Sequence, residues 1–334
     1  MQILDSSVSV IARRIIESRL RSPSVARLAP LRAIAADTAW QAVRGEAGSL
    51  REALRAGDPA ARRSLADLAE RAITTMRAEM RAEAVRRGMV DRIAADLDAR
   101  FADTLEAEWM DDPAFDPIAR VRVLGHLDHL NTMVGSYVAF FDALRPLLRT
   151  DGVPTRVLDL ASGHGGFALA VARIARQEGI ALEIRATDLK PEYLALGEAR
   201  ARTEGLAASF AVQDALDLSN LEEGAFDIVV CTQSLHHFPA GLVAVLASEA
   251  SRIAARGVVL IDGYRSRTHA ALIGSLGLLR FGDVVFAHDT WVSFRRFFAP
   301  EELGLLARLG PNGVSAEARW APPVHCVVVI PAER

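Results

Sequence analysis

The feature that most constrains the fold is a short stretch in which an apolar strand pattern runs directly into glycines. Residues 157–160 read Val-Leu-Asp-Leu, and residues 161–166 read Ala-Ser-Gly-His-Gly-Gly. Glycines lack a Cβ atom, so the backbone there can approach a ligand closely. An apolar helical pattern follows from Phe167 to Ile174. A strand, a glycine turn and a helix in this order are typical of the opening unit of a nucleotide-binding α/β fold.

Strand-like and helix-like segments alternate from Thr155 onward. Strands are predicted at residues 156–160, 182–187, 209–212, 226–231, 257–261 and 324–330. Helices are predicted between them at residues 166–177, 191–203, 243–254 and 300–309. Continuous Val, Ile and Leu strands separated by helices predict a parallel sheet covered on both faces.

The first part of the chain has a different pattern. Residues 1–150 contain few glycines and are rich in Ala, Leu, Arg and Glu, which favour helices. We predict breaks at residues 22–23, 57–59 and 112–117, a last helix over 118–144 and a hinge at 151–154. The sequence therefore predicts two domains, a helical one over residues 1–150 and an α/β one over 151–334.

Charge and cysteine content narrow the class of protein. The net charge is −3, which disfavours a protein that binds nucleic acid. Cys231 and Cys326 both lie in apolar runs, which indicates buried thiols in a reducing compartment. We find no apolar run long enough for a membrane span and no secretory signal pattern at the start. We therefore expect a cytoplasmic protein.

Acidic residues accompany successive strands. Asp159 lies inside the first strand, Asp188 closes the second and Asp214 closes the third. Because the carboxyl ends of parallel strands share one edge, where ligands of such folds bind, we expect these carboxylates to meet there.

With these segments the chain resembles the class I S-adenosylmethionine-dependent methyltransferases, over residues 155–262 and more loosely beyond. Residues 157–165 look like the first motif of that family, 186–188 like the second, and 213–215 like the segment whose acid contacts adenine. Residues 226–231 through 235–238 look like its fourth motif. Two positions depart from the pattern: Ala161 stands where the family usually has glycine, and His164 is less common than Thr or Ser. The extra methyl group of Ala161 predicts a slightly displaced turn.

The resemblance implies an α/β fold: a Rossmann-like, seven-stranded methyltransferase sheet with an antiparallel last strand, here with an N-terminal all-helical domain. It implies S-adenosylmethionine (SAM) as the cofactor. The Gly163–Gly165 backbone would face its methionine part with Asp159 near the ammonium, while Asp188 would hold the ribose and Asp214 the adenine. The further cofactor contacts expected from these motifs are Ala161, Leu189, Ala215 and Gln233.

Histidines supply the candidate bases. His236 and His237 follow the fourth strand, where a neutral imidazole could take a proton from an acceptor, although these residues could equally form a structural turn. We assign His237 and His288 as catalytic candidates and His236, Tyr264 and Arg265 as substrate-binding candidates. His126 and His129 share a helix face, but no third ligand with matching spacing accompanies them, so no metal is expected.

We therefore predict SAM-dependent methyl transfer to an O, N or C atom of a small apolar or aromatic acceptor, by in-line displacement. The apolar residues 270–287 would form a lid over the acceptor or a plain helix and strand, and the N-terminal helices would form an opposite wall or a homodimer interface. Two alternatives stay open: an NAD(P)-dependent oxidoreductase, and a non-methylating enzyme or binding protein of the same fold. An RNA methyltransferase is disfavoured because the chain has no basic stripe.

Overall fold

Helices make up most of the chain before the first strand. The computed structural model describes residues 23–102, 104–321 and 324–332. The predictions for residues 1–22, which include the helical character and the missing signal pattern, lie outside the described residues. The helices in this part are α1 (Pro23–Arg55), α2 (Pro59–Arg87), α3 (Met89–Ala102), α4 (Pro117–Met133) and α5 (Ser136–Leu144).

The second part of the chain forms the sheet and its covering helices. The strands are β1 (Thr155–Leu160), β2 (Leu182–Asp188), β3 (Ala208–Val212), β4 (Phe226–Thr232), β5 (Ala254–Gly263), β6 (Glu317–Ala321) and β7 (His325–Pro331). The helices are α6 (Gly166–Glu178), α7 (Pro191–Glu204), α8 (Ala240–Ile253), α9 (Arg267–Phe281), α10 (Val284–Arg296) and α11 (Pro300–Leu309).

The sheet has seven strands in the order β3-β2-β1-β4-β5-β7-β6. Strands β1 to β5 pair in parallel, whereas β7 runs antiparallel to both β5 and β6. The predicted α/β class and the antiparallel last strand are confirmed. Because the chain order reverses between β1 and β4, the carboxyl ends of these strands flank the crevice where such sheets bind ligands.

Three elements differ from the sequence predictions. The helix predicted over 118–144 is two helices, because Gly135 takes a left-handed conformation (φ +74°) between α4 and α5. The segment after β5 folds into the helices α9 and α10, without the strand that was one of its two interpretations. The resemblance implies a seventh strand, but the sequence pattern did not locate the short edge strand β6.

The N-terminal helices pack directly on the sheet layer. One cluster of buried side chains joins Leu65 and Leu68 of α2 to Val243 of α8 and Val229 of β4. Helix α8 approaches α2 closely at Gly241, where a Cβ atom would lie 2.8 Å from the carbonyl oxygen of Ala66. The division into two domains at residue 150 stays a prediction.

Both cysteines are free thiols with buried side chains, as predicted. In the described part of the chain, no helix combines the length and the apolar character needed to cross a membrane.

Candidate functional site

The carboxylate of Asp159 lies inside the protein at the end of β1 and has no hydrogen-bond donor. The residue is 0 % exposed, and neither of its oxygens has a partner among the described residues. Burial, and to a smaller extent the negative charge of Asp188, raise the pKa of Asp159 well above its usual range. A buried carboxylate without a donor is costly. The site therefore suits a ligand that brings a cation to Asp159.

The turn after β1 supplies backbone rather than side chains. Ala161, Gly163 and Gly165 all have positive φ angles, of 50°, 57° and 73°. Ala161 thus adopts a left-handed conformation that favours glycine, and the alanine is strained there. The predicted displacement of the turn stays a prediction. No atom lies within 4 Å of where a Cβ would stand on Gly163, so the backbone there faces open space.

Gly165 has a packing reason for lacking a side chain. A Cβ atom on it would lie 2.4 Å from Cε1 of Phe210 on β3. The helix α6 begins immediately after it, with Gly165 as the residue before its first turn. Its contribution to a ligand site is therefore the backbone alone, as the resemblance implies.

Asp188 joins the turn to the end of β2. Its Oδ2 accepts a hydrogen bond from the N–H of Gly163 at 2.8 Å, and its Oδ1 accepts one from the N–H of Lys190 at 3.0 Å. Each carboxylate oxygen has a second lone pair, so both can still accept from a ligand hydroxyl. Leu189, between them, is 62 % exposed, which leaves its side chain free to cover a ligand.

The predicted adenine contacts follow the end of β3. Asp214 is half-buried and its Oδ1 accepts a hydrogen bond from the N–H of Leu216. The side chain of Ala215 is buried in the core, so its own contribution to a ligand would come from the backbone. The strand ends at Val212, as predicted, and Asp214 lies two residues beyond that end.

Gln233 connects the end of β4 to the N-terminal helices. It has a positive φ of 55°, and its N–H donates to the carbonyl of Ile261 at 2.7 Å. Its Oε1 accepts a hydrogen bond from Nδ2 of Asn131 on α4 at 2.8 Å. Sequence reasoning missed Asn131, because the two residues lie far apart in the chain and no local pattern links them.

His164 in the glycine turn contacts a second residue that the sequence did not reveal. Its Nε2 lies 2.8 Å from Oδ2 of Asp128, which also accepts from Arg200. The other oxygen of Asp128 accepts from the Tyr137 hydroxyl at 2.6 Å. Burial would raise the pKa of Asp128, but His164 and the other donors lower it. Asp128 thus ties α4 to the turn.

His236 is enclosed by two acids, Asp262 at the end of β5 and Glu108 just before the turn Trp109–Asp111. Its Nδ1 lies 3.0 Å from Oδ2 of Asp262, which also accepts the His236 N–H, and its Nε2 lies 3.3 Å from Oε1 of Glu108. Burial would lower the pKa of His236, but the charge and hydrogen bonds of Asp262 and Glu108 raise it to about 10. Both nitrogens of the imidazole are therefore engaged by acids of the protein, and a contact of His236 with substrate stays a prediction.

His237 is more open than His236. Its side chain is 33 % exposed and its Nδ1 lies 3.3 Å from Oδ2 of Asp111. Both histidines belong to the turn 235–237, which directly follows β4. The turn therefore also places them beside the end of that strand, and the role of His237 as a base stays a prediction.

His288 lies on α10 and is held on both sides. Its Nδ1 contacts Oδ1 of the adjacent Asp289 at 2.8 Å and its Nε2 contacts Oε1 of Glu106 at 3.1 Å. The ring of Trp109 stacks on it with centroids 3.8 Å apart. Its role as a base stays a prediction.

Tyr264 and Arg265 follow β5 and are buried. The Tyr264 hydroxyl accepts a hydrogen bond from Arg32 of α1 at 2.8 Å, and burial raises its pKa to about 12. The guanidinium of Arg265 forms an ion pair with Glu302 of α11 at 2.9 Å and lies 3.5 Å from Asp98. Both polar ends are engaged within the protein, and a contact with substrate stays a prediction.

The edge formed by β1, β2 and β4 therefore has the elements of a SAM site. An unpartnered buried carboxylate, an open glycine backbone and a strand-end acid with free lone pairs fit the ammonium, the methionine chain and the ribose of that cofactor. The sheet order, with β7 antiparallel, is the order of the class I methyltransferase fold.

Comparisons with known proteins find a methyltransferase domain in part of the chain. Residues 157–257 match the family model described as a methyltransferase domain. A ubiquinone biosynthesis O-methyltransferase of Xanthomonas axonopodis pv. citri (strain 306) is 31% identical over 91 residues, which are 27% of this chain and 36% of that protein. The protein of the same name from Xanthomonas campestris pv. campestris (strain B100) is 31% identical over 116 residues, 35% of this chain and 45% of that protein. The alignments thus span less than half the length of these relatives.

A solved structure shares the fold over more of the chain. The plantazolicin methyltransferase BpumL in complex with SAH has a TM-score of 0.50 and 12% sequence identity, and the match covers 74% of this chain and 100% of that chain. This likeness concerns the fold alone. The assignment of a methyltransferase domain therefore rests on the family match over residues 157–257.

Proposed function

We propose that the protein transfers a methyl group from SAM to an O, N or C atom of a small apolar or aromatic acceptor. The observation that carries the proposal is the buried, unpartnered carboxylate of Asp159 beside the open backbone at Gly163. The cofactor, when bound, supplies an electrophilic methyl group on a sulfonium centre. Such a displacement needs no covalent nucleophile, so the chain has mainly to position the reactants and exclude water.

The residues at the sheet edge would divide the binding of the cofactor between them. Asp159 would accept hydrogen bonds from the ammonium group, which replaces the donors it lacks. Asp188 would accept from the ribose hydroxyls with its remaining lone pairs, while Asp214 would accept from the adenine amino group. Gln233, held by Asn131, closes the edge on the β4 side.

Two helical segments would form the acceptor side of the site. The turn at Trp109–Asp111 lies against the ends of β4 and β5, since Glu108 contacts His236 and Asp111 contacts His237. The helices α9 and α10 pack on α4 through a cluster that includes Val123, Leu130 and Phe286. The N-terminal helices and the segment after β5 thus cover the same edge together, as expected for walls of an apolar acceptor cavity.

The oxidoreductase alternative is disfavoured by the same observations. An NAD(P) site gives no task to an unpartnered carboxylate inside β1, whereas a cofactor with an ammonium group does. The family match over residues 157–257 also names a methyltransferase domain.

Equilibrium binding to the purified protein tests the proposal. Titration calorimetry should detect SAM binding and no comparable binding of NAD. Replacing Asp188 by alanine removes ribose contacts worth about 1.5–3 kcal/mol, so the affinity for SAM should fall about 10- to 150-fold. Asp37→Ala, an exposed acid on α1, is the matched control and should bind SAM as the wild type does.

Mass spectrometry tests the transfer itself. Candidate acceptors incubated with the protein and SAM should gain one CH₂ unit. SAM binding without such a gain on any of a broad set of phenols, amines and enols would favour the non-methylating alternative. An unchanged SAM affinity of Asp188→Ala would contradict the assignment of β2.

A further inference from the structure

A second constellation of side chains lies beside the cofactor edge and takes no part in the proposed binding of SAM. It consists of Glu108, His236 and His237, which each offer one ligand atom, and these atoms all lie within 4.8 Å of one another. Glu108 and His236 are buried, while His237 is partly exposed. Nitrogen and carboxylate oxygen are the donors that Zn²⁺ and related divalent metals prefer.

The separation of the two buried donors matches a metal site. His236 Nε2 lies 3.3 Å from Glu108 Oε1. Two ligands that each bind a zinc ion at about 2.0–2.1 Å, at a tetrahedral angle, are about 3.3–3.4 Å apart. His237 then needs only a side-chain adjustment to complete three ligands on one side of the ion.

The surroundings orient these donors. Asp262 contacts Nδ1 of His236 and also accepts its backbone N–H at 2.8 Å, which directs Nε2 toward Glu108. The Ser293 hydroxyl donates to Oε1 of Glu108 at 2.6 Å, and Asp111 contacts His237 through Nδ1. A carboxylate behind each metal-binding histidine is the usual outer arrangement of such sites.

The charges near the cluster also favour a cation. Glu108 and Asp262 are two buried carboxylates that share one histidine. Within the described part of the chain, no arginine or lysine forms an ion pair with either acid. A proton on His236 supplies one positive charge between them, whereas a divalent ion that displaces the proton from Nε2 supplies two.

We propose that Glu108, His236 and His237 bind a divalent metal ion of the zinc class with three protein ligands. Three ligands leave coordination positions open, as in catalytic rather than structural sites. We further infer, on the basis of the proposed methyl transfer, that an oxygen of the acceptor binds the metal at one of these open coordination positions. The metal would then orient the acceptor hydroxyl and lower its pKa, as metals do for bound water. No local sequence pattern reveals this site, because Glu108 lies far from both histidines in the chain.

Metal titration of the chelator-treated full-length protein tests the site, with Co²⁺ as a spectroscopic probe for Zn²⁺. About one Co²⁺ per chain should bind and give the visible absorption of a four- or five-coordinate ion. Glu108→Gln and His237→Gln should each weaken Co²⁺ binding at least about tenfold. Loss of a group that merely hydrogen-bonds to a metal ligand already costs about 10- to 100-fold in metal affinity. His129→Gln, an exposed histidine on α4, is the control and should leave Co²⁺ binding unchanged.

The open positions need a separate probe. Acetohydroxamate, a small chelating oxygen ligand, should change the Co²⁺ spectrum of the wild type and leave that of a closed site unaltered. Absence of Co²⁺ binding, or equal binding by wild type, Glu108→Gln and His237→Gln, overturns the metal site. A metal that binds with no response to acetohydroxamate overturns the role of the acceptor oxygen.

These outcomes are separable from failure of the proposed function. Glu108→Gln should keep its affinity for SAM, because Glu108 is not among the residues assigned to the cofactor. Loss of SAM binding in the wild type would contradict the methyltransferase proposal and leave the Co²⁺ titration to decide the metal site on its own.

Discussion

Replacement of Asp159 by asparagine should change stability and cofactor binding in opposite directions. The wild-type carboxyl is buried without any donor, and its pKa is raised well above the usual value by burial and by Asp188. In the unfolded chain the pKa of an aspartate is about 3.9. Between these two pKa values the folded state binds more protons than the unfolded state. The free energy of unfolding therefore falls as pH rises through this window.

The size of the effect follows from the linkage relation. Each pH unit between the unfolded and the folded pKa of Asp159 lowers the free energy of unfolding by about 1.4 kcal/mol. Asparagine has no proton to lose, so this contribution to the pH dependence disappears in the variant. Without cofactor, Asp159→Asn should therefore gain stability relative to the wild type as pH rises from about 4, until the folded pKa is passed.

Cofactor binding should respond in the opposite sense. Asparagine offers a neutral oxygen to the ammonium group in place of a charged one, and hydrogen bonds to charged groups are worth about 1.5–3 kcal/mol. We expect SAM affinity to fall about 10- to 150-fold. For the wild type, binding of a cation beside Asp159 should release a proton, which calorimetry in buffers of different ionisation enthalpy detects.

The assays are urea unfolding at several pH values without cofactor and SAM titration of the same variants. Asp37→Asn, the exposed control, should follow the wild type in both. If Asp159→Asn showed the wild-type pH dependence of unfolding, the carboxyl would not be the buried proton-binding group described here. A SAM affinity equal to that of the wild type would refute its contact with the ammonium group.

Three further substitutions test separate parts of the structure. Ala161→Gly should relieve the left-handed conformation at that position and raise the free energy of unfolding by about 0.5–1 kcal/mol, measured by urea unfolding; a loss of stability would show that the alanine is not strained. Glu302→Gln should lower the free energy of unfolding by about 3–5 kcal/mol, because it leaves the buried guanidinium of Arg265 without its main partner. A decrease of less than about 1 kcal/mol in urea unfolding would contradict this. If His288 is a base, His288→Gln should lower kcat with little change in SAM affinity, once mass spectrometry has identified an acceptor; full turnover across pH would exclude that role.

The cofactor side of the site could be predicted from the sequence because its signals are local. A strand, a turn with glycines and a helix follow one another within residues 155–178, and parallel pairing places Asp159 and Asp188 at one edge. The period of apolar residues locates such elements, and topology then brings their ends together.

The remaining part of the site depends on contacts between distant segments, which no local pattern reports. Glu108, Asp128 and Asn131 come from the helical region and reach His236, His164 and Gln233 only through the packing of α4 and the preceding turn on the sheet edge. The edge strand β6 was missed for another reason. It has only five residues, which are mostly exposed, and this is too short a segment for a period of apolar residues to locate.

Backbone strain in the described residues is concentrated where the cofactor is expected to bind. Ala161 and Gln233 are the non-glycine residues with positive φ among them, and they follow β1 and β4, the two strands on either side of the crevice. The Ser234 hydroxyl donates to the carbonyl of Ala161 at 2.8 Å, which connects the two turns. Residues in such conformations persist only where the surrounding structure holds them, and they occur preferentially at binding sites. The strain at these two turns is therefore an indication of the site that does not depend on Asp159 or on any related protein.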